Sequence, residues 1–244
     1  MNNLPEYKSI DFYEKNAAVY DIERFFNYQG YKIDEFQKKI VVNLIGSKKD
    51  KRILDLGCGT GRFSIELENA GSHVISFDPS HSMLNELSKK EIGNVNIDLI
   101  QGLGHRLPFK EKSFDGCVCI NVMDHIEDPK ILIAEISRIL KKDGVLVFNF
   151  SNYSGVYFPI ALYINYTNKS LQNTVYTEWQ PYHHIKKQLE ASNFKVENVR
   201  GQLLFPKNEI PKHMFGMLQK LNGYLTNSLL KTLLGSIYIA AIKK

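Results

Sequence analysis

Three glycines stand at alternate positions, Gly57, Gly59 and Gly61, in the run ILDLGCGTGRFS from Ile53 to Ser64. Residues without a Cβ accept positive φ and let the backbone come close to a ligand. An apolar strand that feeds such a turn and then a helix makes a corner with free N–H groups and partial positive charge. That corner suits the carboxylate, ribose or phosphate end of a cofactor. Asp78 lies 21 positions after Gly57 and closes the next apolar run, where a carboxylate can accept both hydroxyls of an adenosine ribose. The nicotinamide fingerprint G-x-G-x-x-G would need a third glycine where Arg62 stands, and a side chain of that size hinders close helix–sheet packing. The residues therefore support a nucleoside cofactor without a pyrophosphate cradle. His125, just after the fourth apolar run, is the candidate general base, because imidazole titrates near neutrality and ligands bind at the carboxyl edge of such sheets. His183 and His184 are the second choice.

These residues need a frame. Apolar runs at Arg52–Leu56, His73–Phe77, Val95–Gln101, Phe114–Asn121 and Val145–Phe150 alternate with helical patterns at Gly61–Asn69, Ser80–Lys90 and Asp128–Leu140. Gly71 stops the first of these helices as a C′ glycine, and Asp128-Pro129 is an N-cap and N1 pair. Five buried strands alternating with helices predict a mostly parallel sheet covered on both faces, an α/β fold. Residues 1–50 read as a leader of two helices separated by Gly30. Tyr13, Ala17, Tyr20 and Arg24 share one face of the first, and Ile33, Phe36, Ile40, Val41 and Leu44 stripe the second. After Phe150 the rhythm breaks. Residues 151–178 and 203–232 read as two insertions on the substrate side, separated by a helix at Trp179–Ser192 and a strand at Lys195–Gly201. The second insertion carries Leu218, Leu221, Leu225, Leu229 and Leu233 at helical steps interrupted by Gly223. A last strand runs Ser236–Ile242. The whole chain, 1–244, reads as one domain, with leader 1–50, core 51–150, lid 151–178 and a C-terminal part 179–244.

Composition narrows the partners. At 43% hydrophobic and 23% charged residues the chain has an ordinary globular make-up. From Lys195 to Lys244 there are eight Lys/Arg against two Asp/Glu, a net +6, while the whole chain carries +5. No dense basic-aromatic patch appears, which disfavours a nucleic-acid substrate. The three cysteines, Cys58, Cys117 and Cys119, form no C-x-x-C pair; their number and the polar N-terminus predict reduced thiols in a cytoplasm, and no metal site. No apolar run approaches the ~20 residues that span a bilayer, which leaves peripheral membrane contact through the leucine-rich insertion. Oligomeric state is not legible.

Four motifs follow one another at set intervals: D-L-G-C-G-T-G after a strand, F-D-P-S closing the next, L-P-F-x-x-x-S-F-D before the fourth, and N-V-M-D-H-I-E-D-P after it. Together they resemble class I S-adenosylmethionine-dependent methyltransferases, closest to the small-molecule branch that includes the ubiquinone- and menaquinone-biosynthesis type. The leader, with F-Y-E-K-N-A-A-V-Y-D, is similar to the helical leader of that family. The resemblance implies a Rossmann-like seven-stranded sheet in order 3-2-1-4-5-7-6 with strand 7 antiparallel, and S-adenosylmethionine as cofactor. It implies that Gly57, Cys58 and Gly59 set backbone against the methionine and ribose parts, that Asp55 orients the ammonium through the turn or a water, and that Asp78 takes the ribose diol. Pro79, Ser80 and Met83 would flank the adenine, and Asn121 would sit by the methionyl chain. One position departs from the pattern. Where the family often has an Asp, this chain has Leu103, in Q-G-L-G-H-R-L-P-F, so adenine would be held by backbone at Leu103 and Gly104 and by apolar packing.

The acceptor is the less legible half. Tyr13, Tyr20, Tyr153 and Trp179 are the candidate substrate-facing residues, with Tyr157, Phe158, Tyr163 and Tyr166 making the first insertion aromatic. This combination suits a small apolar or aromatic acceptor methylated on O, N or C. The competing readings are an RNA or protein methyltransferase and a cofactor-binding scaffold without catalysis.

Overall fold

The structure, a computed structural model, describes residues 5–47, 49–90, 97–126, 128–153, 158–159, 162–163, 175–205 and 209–244. Its helices are α1 (Pro5–Phe25), α2 (Tyr28–Ile45), α3 (Arg62–Asn69), α4 (His81–Lys90), α5 (Pro129–Ile139), α6 (Tyr182–Ala191) and α7 (Lys212–Leu225). Its strands are β1 (Arg52–Leu56), β2 (His73–Asp78), β3 (Asp98–Gln101), β4 (Phe114–Cys119), β5 (Leu140–Ser151), β6 (Phe194–Gln202) and β7 (Ser236–Lys243). They form one sheet in the order β3-β2-β1-β4-β5-β7-β6. The first five strands pair in parallel, and β7 runs antiparallel to both β5 and β6. This is the order and sense that the family resemblance implies.

Successive residues of a strand face opposite sides, and both sides here are apolar. Ile53, Val118, Val147 and Ala240 point to the face covered by Ile40, Val41 and Ile45 of α2 and Phe63 and Leu67 of α3. Leu54, Cys117, Leu146 and Phe148 point to the other face, with Ile133 and Ile136 of α5 and Ile185 and Leu189 of α6. Burial on both faces explains the near-continuous apolar runs. Cys117 and Cys119 are fully buried on that second face, and among the described residues no cluster of His, Cys, Asp or Glu could hold a metal.

Several boundaries differ from the sequence reading. Gly30 does not separate the leader helices but lies inside α2. The break falls at 26–27, where the Asn27 side chain caps α2 by accepting the Gly30 N–H at 2.7 Å. A Cβ on Gly30 would lie 2.1 Å from the Arg24 carbonyl, so this glycine lets the two helices turn tightly on each other. β5 begins at Leu140, not Val145, because Leu140 already pairs with Phe114. The register then shifts before Gly116 meets Val145, with Asp143 at φ 63° in the offset. β4 ends at Cys119, and Asn121 at φ 60° turns the chain out of the sheet. α6 starts at Tyr182, after Pro181, which places Trp179 before the helix. α7 runs through Gly223 without a break. The start of the expected third strand, at Val95, lies outside the described residues, as do Tyr157 and Tyr166 and most of the 151–178 lid.

α7 buries Phe215 and Asn222 but exposes Met214, Met217, Leu221 and Tyr224 along one stripe, followed by exposed Leu229 and Leu230. No helix among the described residues is long and apolar enough to cross a membrane.

Candidate active site

The glycine corner is built before any ligand arrives. The Phe77 carbonyl accepts the N–H groups of Gly57 and Cys58 at 2.7 and 3.2 Å. The Asp78 carboxylate accepts the Gly59 N–H on one oxygen and the Ser80 N–H on the other, both at 2.8 Å. β1 and β2 are thus locked where they end, and several amides of the turn are already spent. Gly57, Gly59 and Gly61 all have positive φ, but for different reasons. A Cβ at Gly57 would meet Val122 at 2.2 Å and one at Gly61 would meet Leu87 at 2.1 Å, whereas one at Gly59 would meet nothing within 4 Å. Gly57 and Gly61 serve packing. Gly59 keeps open a space on the cavity side.

That cavity lies at the carboxyl edge of the sheet. Its floor is Gly57, Cys58, Gly59, Asp78, Pro79, Ser80 and Met83, and its walls include Leu103, Gly104, Asn121, Val122, His125 and Ile126. α1 lies across it, adding Ser9, Ile10, Tyr13 and Tyr20. Leu103, the departure from the expected acidic position, is 40% exposed beside Gly104.

Three expected site residues lie elsewhere. Asp55 is fully buried and does not line the cavity. Its carboxylate accepts the Ser64 hydroxyl at 2.6 Å, inside the packing of α3 on β1, and burial pushes its pKa up to about 7. Trp179 is also absent from the cavity lining. The chain there zips onto the end of β5, with Gln180 N–H donating to the Ser151 carbonyl at 3.0 Å and Tyr153 N–H to Gln180 at 3.2 Å, and the indole is buried. Tyr153 packs on Phe158, ring centroids 5.4 Å apart, rather than on the cavity. His183 and His184 open α6 on its exposed side.

His125 does line the cavity. It sits in a short 3-10 turn, Met123–His125, after β4. Its Nδ1 is 2.6 Å from the Tyr176 carbonyl oxygen, which can only accept, so Nδ1 carries the proton. Its Nε2 is 3.0 Å from the Tyr13 hydroxyl, which therefore donates to it. Burial lowers the His125 pKa and raises that of Tyr13, so both are neutral near pH 7. The neighbouring Asp124 is fixed by the amide and hydroxyl of Ser151, at 2.7 and 2.6 Å. Asn121 is held at both ends by Asn149, which accepts its N–H at 2.6 Å and donates to its side-chain oxygen at 2.8 Å.

Sequence reasoning missed how the roof is fastened. Glu14 of α1 accepts the hydroxyls of Ser80 and Ser82 at 2.5 and 2.7 Å and the Ser82 N–H at 3.1 Å. It thereby caps the first turn of α4, where negative charge is favoured. Hydrogen bonding holds its pKa below the usual range. Asp21 accepts the Thr60 hydroxyl at 2.7 Å and pairs with Lys90. Arg62 pairs with Asp34 of α2, bonds Gln37 at 3.0 Å and lies 3.9 Å from the Phe25 ring centre. The side chain that breaks the dinucleotide fingerprint is the one that docks the leader. The signal for these contacts was the leader motif F-Y-E-K-N-A-A-V-Y-D, which holds Tyr13, Glu14, Tyr20 and Asp21.

The comparisons with known proteins agree with this geometry. Residues 54–148 match a family model described as a methyltransferase domain. A demethylmenaquinone methyltransferase from Renibacterium salmoninarum is 33% identical over 110 residues, 45% of each chain. An uncharacterised methyltransferase, YcgJ, from Bacillus subtilis is 25% identical over 69% of this chain and 66% of its own. The chain thus spans about half to two thirds of the length of these relatives. Among solved structures, magnesium protoporphyrin IX methyltransferase from Synechocystis with bound SAH superposes with a TM-score of 0.69 over 99% of this chain and 100% of its own, at 15% identity. The matched methyltransferase domain lies on β1 to β5, and the chain shares the Rossmann-like fold of that magnesium protoporphyrin IX methyltransferase structure.

Proposed function

We propose that the protein is an S-adenosylmethionine-dependent methyltransferase acting on a small, apolar or aromatic molecule. The observation that carries the reading is the cavity itself: a glycine corner with open space at Gly59, a buried carboxylate at Asp78, and a roof of tyrosines over the carboxyl edge of β1 and β4.

The residues present fit the cofactor. Asp78 uses one acceptor site on each oxygen for the turn, and an ionised carboxylate has about four; the remainder suits a ribose diol. Met83, Leu103 and Gly104 supply an apolar slot for adenine, and the open face of Gly59 lets a chain pass close to the backbone. Bound there, the cofactor supplies an electrophilic methyl group on a sulfonium. The protein then has to align the acceptor, exclude water and manage a proton. α1 does the excluding, since it covers the cavity and is tied to α4 and to Thr60. A roofed cavity of this kind supports a small-molecule acceptor over a nucleic acid or a protein chain. The related demethylmenaquinone enzyme supports an aromatic one.

The test is calorimetry with S-adenosylhomocysteine. Binding by the wild type and its loss in Asp78→Ala, with the fold retained by circular dichroism, is the expected result. No binding by the wild type, or equal binding by the variant, refutes the assignment.

A further inference from the structure

We propose that Tyr13 and His125 form a proton relay for an acceptor bearing an acidic hydroxyl, a phenol or an enol, which is methylated on oxygen. This rests on the methyl-transfer reading above and assigns the kind of acceptor and the fate of its proton.

The pair joins two distant parts of the chain inside one cavity. Tyr13 comes down from α1 and His125 up from the end of β4, with ring centroids 5.5 Å apart at 63°. The hydrogen bonds give the pair a direction. The Tyr176 carbonyl fixes the Nδ1–H tautomer, which leaves the Nε2 lone pair facing the Tyr13 hydroxyl. A hydroxyl has one proton to give and two lone pairs. With its proton aimed at Nε2, the Tyr13 oxygen is left to accept a hydrogen bond from a ligand in the cavity.

The proton path follows. The acceptor O–H gives its proton to the Tyr13 oxygen while Tyr13 passes its own proton to Nε2. The acceptor oxygen uses the freed electron pair to bond the methyl carbon, and the carbon–sulfur bond breaks with its pair remaining on sulfur. Tyr13 ends unchanged, the sulfonium ends as a neutral thioether, and the proton rests on an imidazolium that later returns it to solvent.

The charges around the pair select the acceptor. Asp124 lies beside His125 in the same turn, and its charge favours the imidazolium. Arg24, exposed on α1 with its guanidinium 5.0 Å from the centre of the Tyr20 ring, acts on both Tyr13 and His125 in the opposite sense. Tyr20 and Asp78 bear on Tyr13 as further groups. Burial keeps His125 neutral, hence a ready but weak base. Such a base is matched to a hydroxyl that ionises readily, as in a phenol or an enol, and poorly to an aliphatic alcohol. The walls beside the pair, Ile10, Val122 and Ile126, offer apolar contact to a flat ring.

Two measurements test the relay. The first uses the ligand-free protein and nitrogen-15 spectra of the His125 ring. The proton is expected on Nδ1, and Tyr13→Phe, which keeps the ring, is expected to shift the Nε2 resonance and the titration of His125. An Nε2–H tautomer, or a titration unmoved by Tyr13→Phe, overturns the relay. The second uses single-turnover methyl transfer to 2-naphthol, 4-hydroxycoumarin and benzylamine. Transfer to oxygen of the first two is expected, with the rate falling about 100-fold in both Tyr13→Phe and His125→Gln while S-adenosylhomocysteine affinity stays within about threefold of wild type. Transfer to benzylamine alone, no transfer to either hydroxyl probe, or an undiminished rate in the variants overturns the proposal. In each of those cases, intact S-adenosylhomocysteine binding leaves the methyl-transfer reading standing. Its loss in the wild type removes that reading instead.

Discussion

The carboxylate of Glu14, on the leader helix, caps the helix that begins at His81 by accepting the Ser80 and Ser82 hydroxyls, 66 and 68 residues away in sequence. The roof of the cavity is therefore fastened to its floor by a helix cap borrowed from another element. Replacing a capping carboxylate costs about 1–2 kcal/mol. Glu14→Ala is expected to lower the unfolding free energy by that amount and to raise amide exchange in α1 more than in the sheet. Exchange that rises equally in both, measured by mass spectrometry, counts against a local clamp.

Arg62 offers a second test. Its guanidinium and Asp34 are both largely buried, at 11% and 14% side-chain exposure. Arg62→Gly restores the spacing of the dinucleotide fingerprint but strips Asp34 of its main partner, leaving Lys38 at 3.3 Å. Breaking a buried pair in this way costs about 3–5 kcal/mol, toward the lower end with Lys38 still near. The expected outcome is a large drop in urea midpoint and no NAD binding by calorimetry. A stable variant that binds NAD contradicts it.

The three glycines of the corner are expected to fail differently. Gly57→Ala drives a methyl into Val122, and Gly61→Ala drives one into Leu87. Both should destabilise the fold well beyond the cost of a positive φ. Gly59→Ala meets open space, so it should lose only about 1–2 kcal/mol to its left-handed backbone while filling the space next to Asp78. Thermal melts alone and with S-adenosylhomocysteine separate the two classes. A Gly59→Ala protein that keeps a wild-type ligand shift refutes the assignment of that space.

Stability should also depend on pH through Asp55 and Asp78. Burial raises them to about 7 and about 6, above their values in the unfolded chain. The folded form then holds their protons more tightly. Their contribution is full below about pH 4 and is lost as pH rises through 6 and 7. Between pH 8 and pH 5 these two carboxyls favour the folded form on acidification while His125, whose pKa burial lowers, opposes them, and Asp55→Asn should remove the Asp55 share of the slope. Glu14 and Glu135, whose pKa values are lowered, act only below their ordinary range and do not obscure the window. Melting curves in matched buffers decide the matter: an identical slope in wild type and Asp55→Asn sinks this account.

Much of the fold was legible because β1 and β2 are apolar on both faces and end in residues of special chemistry, Leu56-Gly57 and Asp78. Errors fell where one residue type has two uses. Gly30 was read as a helix break, yet it lies in a helix because Arg24 needs its missing Cβ. Asp55, two residues before Gly57, makes no direct wall of the cavity because its carboxylate accepts the buried Ser64 hydroxyl, so any part in holding the cofactor runs through the turn or a water. The place of His125 at the cavity is legible from its position after β4. Its partner is not, since Tyr13 stands 112 residues earlier and only the packing of α1 brings them together. Trp179 was read as facing the acceptor because an aromatic beside an insertion suggests a pocket, but the pairing of Gln180 with Ser151 turns it inward.

The fastening of α1 has a consequence in time rather than in space. The same helix carries Tyr13 and Tyr20 into the cavity and Glu14 and Asp21 onto its rim. Withdrawing α1 from the cavity breaks both carboxylate contacts. Loss of Glu14 and Asp21 together is therefore expected to speed S-adenosylhomocysteine release in stopped flow while changing its equilibrium affinity less.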